Sequence, residues 1–117
     1  MKYTIPAIPP SNNRFIGRTN YREYQNIKKK WADLIALFCR PTPKRPVEHA
    51  IVALNYYFPD KRRRDPDNYS GKMVLDGLTK AGIITDDSFE HIDLVLRGKY
   101  DSQNPRIEIE IKEIEAC

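Results

Sequence analysis

Apolar residues recur along this chain in two spacings, and the switches between them mark its elements. Tyr3, Ile5 and Ala7 alternate with other residues until Pro9-Pro10-Ser11-Asn12-Asn13 intervenes, the pattern of a short strand ended by turn formers. From Tyr21 the spacing becomes three and four. Tyr21, Tyr24, Ile27, Trp31, Leu34, Ile35 and Phe38 share one face of a helix expected over residues 21–39, with Asn20 and Glu23 placed as its capping pair. Lys28, Lys29 and Lys30 fall mainly on the polar side, where charge is ordinarily solvated. Pro41, Pro43 and Pro46 each remove a backbone donor and disfavour helix before them, so this stretch is a loop within one domain.

Val47 to Phe58 is β-branched and aromatic, a largely buried strand. Pro66 suits a first helical turn with Asp65 as its cap. Met73, Val74, Leu75, Leu78 and Ala81 then supply the apolar face of a helix of about 16 residues, roughly 24 Å long, ending at Gly82. Thr85-Asp86-Asp87-Ser88 is a polar turn. Ile92, Leu94 and Leu96 alternate as a strand, as do Ile107, Ile109 and Ile111, with Asp101 to Pro105 expected as a hairpin turn between them. The order β-α-β-α-β-β predicts one α+β domain over residues 1–117, two main helices packed on a mixed sheet. There is no internal repeat.

At 40% hydrophobic and 31% charged, the 117 residues are too apolar for a disordered chain, and no apolar run reaches the length of a membrane span. The start, Met1 to Pro6, lacks the apolar stretch of a signal peptide, so a cytoplasmic protein is expected. Two cysteines, neither in a CxxC pair, make no disulfide scaffold and argue against zinc. The net charge of +4 equals one run, Lys61-Arg62-Arg63-Arg64; without it the charges balance. A concentrated run suggests local contact with an anion such as a phosphate backbone, and the alternative is a solvated loop.

Carboxylates adjoin that run. Asp65 and Asp67 stand two apart at a strand-to-helix junction, and Asp86-Asp87 follow one helix later. Hard cations such as Mg²⁺ take oxygen ligands from separate elements, which these residues would supply if the helix returned the chain to the same cavity. The plainer alternatives are an N-cap for Asp65, a favourable first-turn acid for Asp67, turn chemistry for Asp86-Asp87, and an i,i+4 pair between Lys72 and Asp76. His49 and His91 have no partner at a ligand spacing and read as structural or solvent-exposed.

Pro9-Pro10-Ser11-Asn12-Asn13-Arg14, Arg62-Arg63-Arg64-Asp65-Pro66-Asp67-Asn68, Leu75-Asp76-Gly77-Leu78-Thr79-Lys80-Ala81-Gly82 and Asp86-Asp87 together resemble the RusA-like crossover junction endodeoxyribonucleases, which resolve Holliday junctions. The resemblance implies an α+β homodimer that cuts branched DNA by paired symmetric cleavage, with Mg²⁺, or Mn²⁺ in its place, as cofactor. It carries the metal ligands to Asp65, Asp67 and Asp87, and a catalytic lysine to Lys72, although the stretch from Asn68 to Asp76 runs one residue longer than the family pattern. Lys61, Arg62, Arg63, Arg64 and Arg14 would contact DNA phosphates. Two rivals remain: a non-catalytic DNA-binding or accessory protein using the basic run alone, and a PD-(D/E)xK nuclease using Pro66-Asp67 with Glu110-Ile111-Lys112.

Overall fold

The computed structural model describes residues 1–12 and 21–115, so Arg14, Asn20 and Cys117 lie outside the described residues. Its elements are β1 (Lys2–Ile5), α1 (Tyr21–Phe38), β2 (Ala50–Phe58), a 3₁₀ turn (Pro66–Tyr69), α2 (Lys72–Lys80), β3 (Ile92–Tyr100) and β4 (Arg106–Glu113). The expected α+β class, with two helices on one mixed sheet, is what forms.

β2 is the most apolar segment and takes the interior position. Every residue in it except Ile51 and Tyr57 is buried. The strands run in the order β1-β4-β2-β3. β3 lies parallel to β2, from Ala50 opposite Ile92 to Phe58 opposite Tyr100. On the other side β4 is antiparallel to β2, and β1 is antiparallel to β4. The Asp101 to Pro105 segment is therefore no hairpin: it passes over the end of β2, which separates β3 from β4, and the Asp101 amide donates to the Phe58 carbonyl at 2.8 Å. A parallel neighbour requires a crossover, and the 3₁₀ turn with α2 supplies it.

One sheet face carries Tyr3, Ile5, Val52, Leu54, Tyr56, Ile107, Ile109 and Ile111, which join Trp31 and Ile35 of α1 and Val74, Leu75 and Leu78 of α2 in a single core. Each such aliphatic side chain contributes about 1.5–3 kcal/mol when fully buried. α1 and α2 approach closely at Gly77, where a Cβ would fall 2.8 Å from Ile35 Cγ1. Cys39 is buried in the same core, and burial pushes its thiol up to about 12, an unreactive state. The other face is polar and tied by charge. Arg106 bonds Glu108 at 2.7 Å and Asp101 at 2.9 Å, and lies over the Tyr57 ring at 3.7 Å; Lys2 reaches Glu108 at 3.1 Å.

The helix expected from Pro66 to Ala81 is divided. Gly71 sits at φ +79°, a left-handed conformation that stops the 3₁₀ turn and starts α2 afresh, and a Cβ there would meet Leu54 Cδ1 at 2.2 Å. Gly82, at φ +77°, ends α2 as expected, with the Ile83 amide donating to the Leu78 carbonyl at 3.0 Å. At the start of the parallel pair two histidines form a reciprocal clasp. His49 Nδ1 bonds the Glu90 carbonyl at 3.2 Å, His91 Nδ1 bonds the Glu48 carbonyl at 2.7 Å, and the rings stack at 5.7 Å. These histidines are structural.

Two predictions follow from this packing. Gly71→Ala combines backbone strain with a clash in the core and should lose about 2 kcal/mol or more in chemical denaturation. The second concerns acid. Hydrogen bonds from Arg106 hold the Asp101 and Glu108 carboxyls below their ordinary 3.8 and 4.5. A depressed folded pKa stabilises above the unfolded value and is lost as pH falls through the folded one. The thermal midpoint should thus hold above about pH 5 and fall below about pH 4, and Arg106→Gln should flatten that fall.

Candidate nucleic-acid interface

The carboxyl ends of parallel strands are where open α/β sheets bind ligands, and here β2 runs out of the sheet directly into the basic run. The segment from Asp60 to Asp65 folds back on itself around Arg64. Its Nη1 donates to the carbonyls of Asp60 and Arg62, both at 3.1 Å, its Nη2 lies 2.9 Å from Asp60 Oδ1, and its guanidinium covers the Phe58 ring at 4.3 Å. The Arg62 amide also donates to Asp60 Oδ1 at 3.0 Å, and that bond, with Arg64 beside it, keeps the Asp60 carboxyl below its usual range. The four cations are therefore unequal. The Arg64 side chain is 16% exposed and organises the loop, whereas that of Arg63 is 90% exposed. Lys61 lies over the Tyr100 ring at 5.3 Å.

The acids occupy the next few residues. Asp65 is extended, at φ −100° and ψ 139°, and makes no side-chain cap; its Oδ1 instead faces Arg63 Nε at 3.2 Å. Asp67 is exposed within the 3₁₀ turn. Its carbonyl accepts from Asn12 Nδ2 at 3.1 Å, and the same amide reaches Ser70 Oγ at 3.0 Å. The Pro9 to Asn12 block and the Asp65 to Asn68 block, far apart in sequence, thus meet in space. Between them opens a groove of about 470 Å³ lined by Ser11, Arg62, Arg63, Arg64, Asp65, Asn68 and Tyr69. Ser11, Asn12 and Tyr69 carried no expectation as site residues. The signal for the first two lay in the shared motif block, while Tyr69 joins only through its edge-on packing against Tyr56 and Phe58, at 5.7 and 5.1 Å.

Lys72, the first residue of α2, pairs with Asp76 at 3.7 Å, the helix-surface contact its spacing allows. Asp76 also faces Lys28 of α1 at 3.8 Å, and its Oδ2 is buried without a hydrogen bond. Asp86 and Asp87 are elsewhere. After α2 the chain has travelled back along the sheet: Ile84 bridges Val47, and the Ala50 amide bonds the His91 carbonyl. That is the beginning of β2, and Asp65 stands beyond its end, with about 26 Å of strand between at roughly 3.3 Å per residue. The expected return of Asp86 or Asp87 to the Asp65 cavity does not occur within one chain. Among the described residues no three Asp, Glu, His or Cys side chains are grouped to hold a metal ion. Asp65 and Asp67 are oxygen donors of the kind Mg²⁺ takes, and no third carboxylate joins them among the described residues of one chain. Glu110 lies on the open sheet face, 3.8 Å from Arg97, apart from Asp67.

Exposed arginines beside an acidic turn, at the carboxyl end of a parallel strand pair, define an α+β domain with a basic groove. Residues 6–112 match the family described as endodeoxyribonuclease RusA, and this chain belongs to that family. Among its relatives, the crossover junction endodeoxyribonucleases of Escherichia coli K12 and of enterobacteria phage 82 are each 33% identical over 91 residues, covering 73% of this chain and 72% of their own. That of Shigella sonnei is 36% identical over 99 residues with the same coverage. Among the described residues, no helix is long and apolar enough to cross a membrane.

The inequality of the arginines is open to measurement. Arg64→Ala should lose about 1–3 kcal/mol of stability in urea titration, because it removes the donor to the Asp60 and Arg62 carbonyls and the guanidinium packed on Phe58, whereas Arg63→Ala should stay within about 0.5 kcal/mol of wild type.

Proposed function

We propose that this protein is a Mg²⁺-dependent, structure-specific endodeoxyribonuclease that resolves Holliday junctions by paired symmetric cleavage, acting as a homodimer. The observation that carries this reading is the docking of Asn12 onto the 66–70 segment, which assembles two of the motif blocks shared with the family into one groove beneath exposed arginines.

Within that groove Arg62 and Arg63 would hold backbone phosphates and set the strand's position without reading bases, with Lys61 and Arg64 as the further cations of the same surface; Arg14, from the shared motif, would add a phosphate contact. Asp65 and Asp67 of one chain and Asp87 of a second copy would hold one or two Mg²⁺ ions, which when bound supply an activated water and neutralise charge on the phosphate. Lys72, at the start of α2, would stabilise charge developing on the cleaved phosphate. Its pairing with Asp76 limits its wandering but leaves the side chain 63% exposed and able to reach DNA.

Dimerisation has two supports. With a Cα radius of gyration of 14.2 Å, one chain covers about one turn of DNA, while a four-way junction needs two symmetric cuts, which a C2 pair of identical sites provides. The second is the position of Asp87, too far along the sheet to join Asp65 and Asp67 of its own chain.

In Mg²⁺ the wild type should cut a synthetic four-way junction in two opposed strands, and Asp67→Asn should bind it but not cut. Asp67→Asn and Asp87→Asn, each inactive alone, should recover nicking when mixed and allowed to exchange subunits, because the hybrid dimer carries one intact site. Exchange without recovered nicking would remove the shared site. Binding by wild type with no cleavage in Mg²⁺ or Mn²⁺ would favour the accessory-protein reading instead.

A further inference from the structure

Beside the arginine groove, and sharing Arg64, Asp65 and Tyr69 with it, lies a separate pocket of about 70 Å³. Its walls are the rings of Tyr56, Phe58 and Tyr69 with Pro66 and Leu96, and Arg97 stands at its edge on β3. The rings are fixed against one another, Tyr56 and Phe58 stacked at 5.7 Å and Tyr69 edge-on to both.

What keeps this space open is a glycine. Gly98 pairs with Tyr56 across the parallel ladder, so it sits on the core-facing side of β3 in line with Leu96 and Tyr100, both of which carry large side chains. A Cβ at Gly98 would meet only Phe58 Cε2, at 3.6 Å, an ordinary contact, and its φ lies outside the range that demands glycine. Neither the backbone nor close packing therefore requires glycine there. β3 pairs in unbroken register through this position, so the glycine marks no bulge, and close approach of another group to the backbone is a use that strand glycines serve.

We propose that this pocket receives one unstacked nucleobase of the strand whose phosphates lie in the arginine groove. The proposal rests on the nuclease reading above and extends it from backbone contact to contact with a base. Two observations converge on a base. The walls are aromatic rings, with the Arg64 guanidinium lying on Phe58, and a base stacks on such planes. The shared residues place the pocket one nucleotide's reach from the phosphate contacts. A branched junction suits the arrangement, because unpaired or distorted positions are the easiest to unstack.

The test uses four-way junctions carrying 2-aminopurine at each position around the cleavage site in turn, bound in Ca²⁺ so that cutting does not intervene. Wild type should raise the fluorescence at one position, and Gly98→Val, which fills the pocket, should abolish that rise. An abasic residue at the same position should weaken wild-type binding roughly 10-fold and leave Gly98→Val binding within about 2-fold, since the stacking partner is already lost there. Cleavage by wild type with no rise at any position overturns the pocket and leaves the nuclease reading standing. A rise that persists in Gly98→Val also overturns the pocket. If wild type neither binds nor cuts junctions, both readings fall together, and the Mg²⁺ cleavage reaction identifies that case. Should Gly98→Val fail to fold by circular dichroism, the abasic junction decides with wild type alone, and an unchanged affinity overturns the proposal.

Discussion

Parallel pairing of β2 with β3 governs the rest of this molecule. Two parallel strands cannot be joined by a tight turn, so the chain must leave the end of β2, cross the sheet and return to its beginning before β3 can start. The 3₁₀ turn and α2 are that journey. It strands Asp65 and Asp67 at one end and Asp87 at the other, and it delivers Lys72 between them. The basic run and the acidic turn fall at the exit from β2, where a cleft naturally forms. The separation of these carboxylates within one chain is thus a direct result of how the core is built.

Electrostatics act on two scales around this frame. On the open sheet face Arg106, Glu108, Lys2 and Asp101 neutralise one another in a closed network, which holds the connection to β4 in place. Around Asp60 the loop uses one arginine internally and presents its neighbours to solvent. A basic run is not a uniform patch. Its members divide between shaping the loop and facing a ligand, and only contacts tell which is which.

The helices, the strand count and the α+β class were legible because long apolar periodicities record which faces are buried. Gly82 announced the end of α2 for a reason visible in any sequence, the cheapness of left-handed backbone at glycine. Other features were not legible. Alternation in β3 and β4 identifies strands without naming their neighbours, so a turn-rich connection reads as a hairpin although β2 lies between them. Gly71 broke the expected helix because of Leu54 beneath it, a contact between residues 17 apart. For the candidate site, the residue types at 61–67 were plain from charge and spacing, but the place of Asp87 depended on the direction of the crossover. The partnership of His49 and His91 depended on register, which brings two chain segments level only once β2 and β3 pair.

β3 is a nine-residue edge strand with no described strand bonded along its outer side. Such a strand is a template for unwanted growth, one copy adding to the next through the backbone alone. This one carries Asp93, Arg97 and Lys99 along its open face, and on the opposite face Gly98, of poor strand propensity. Charge and glycine together make the free border a poor seed for fibrils. The glycine that leaves space beside Phe58 thereby also helps a concentrated solution of the protein stay clear.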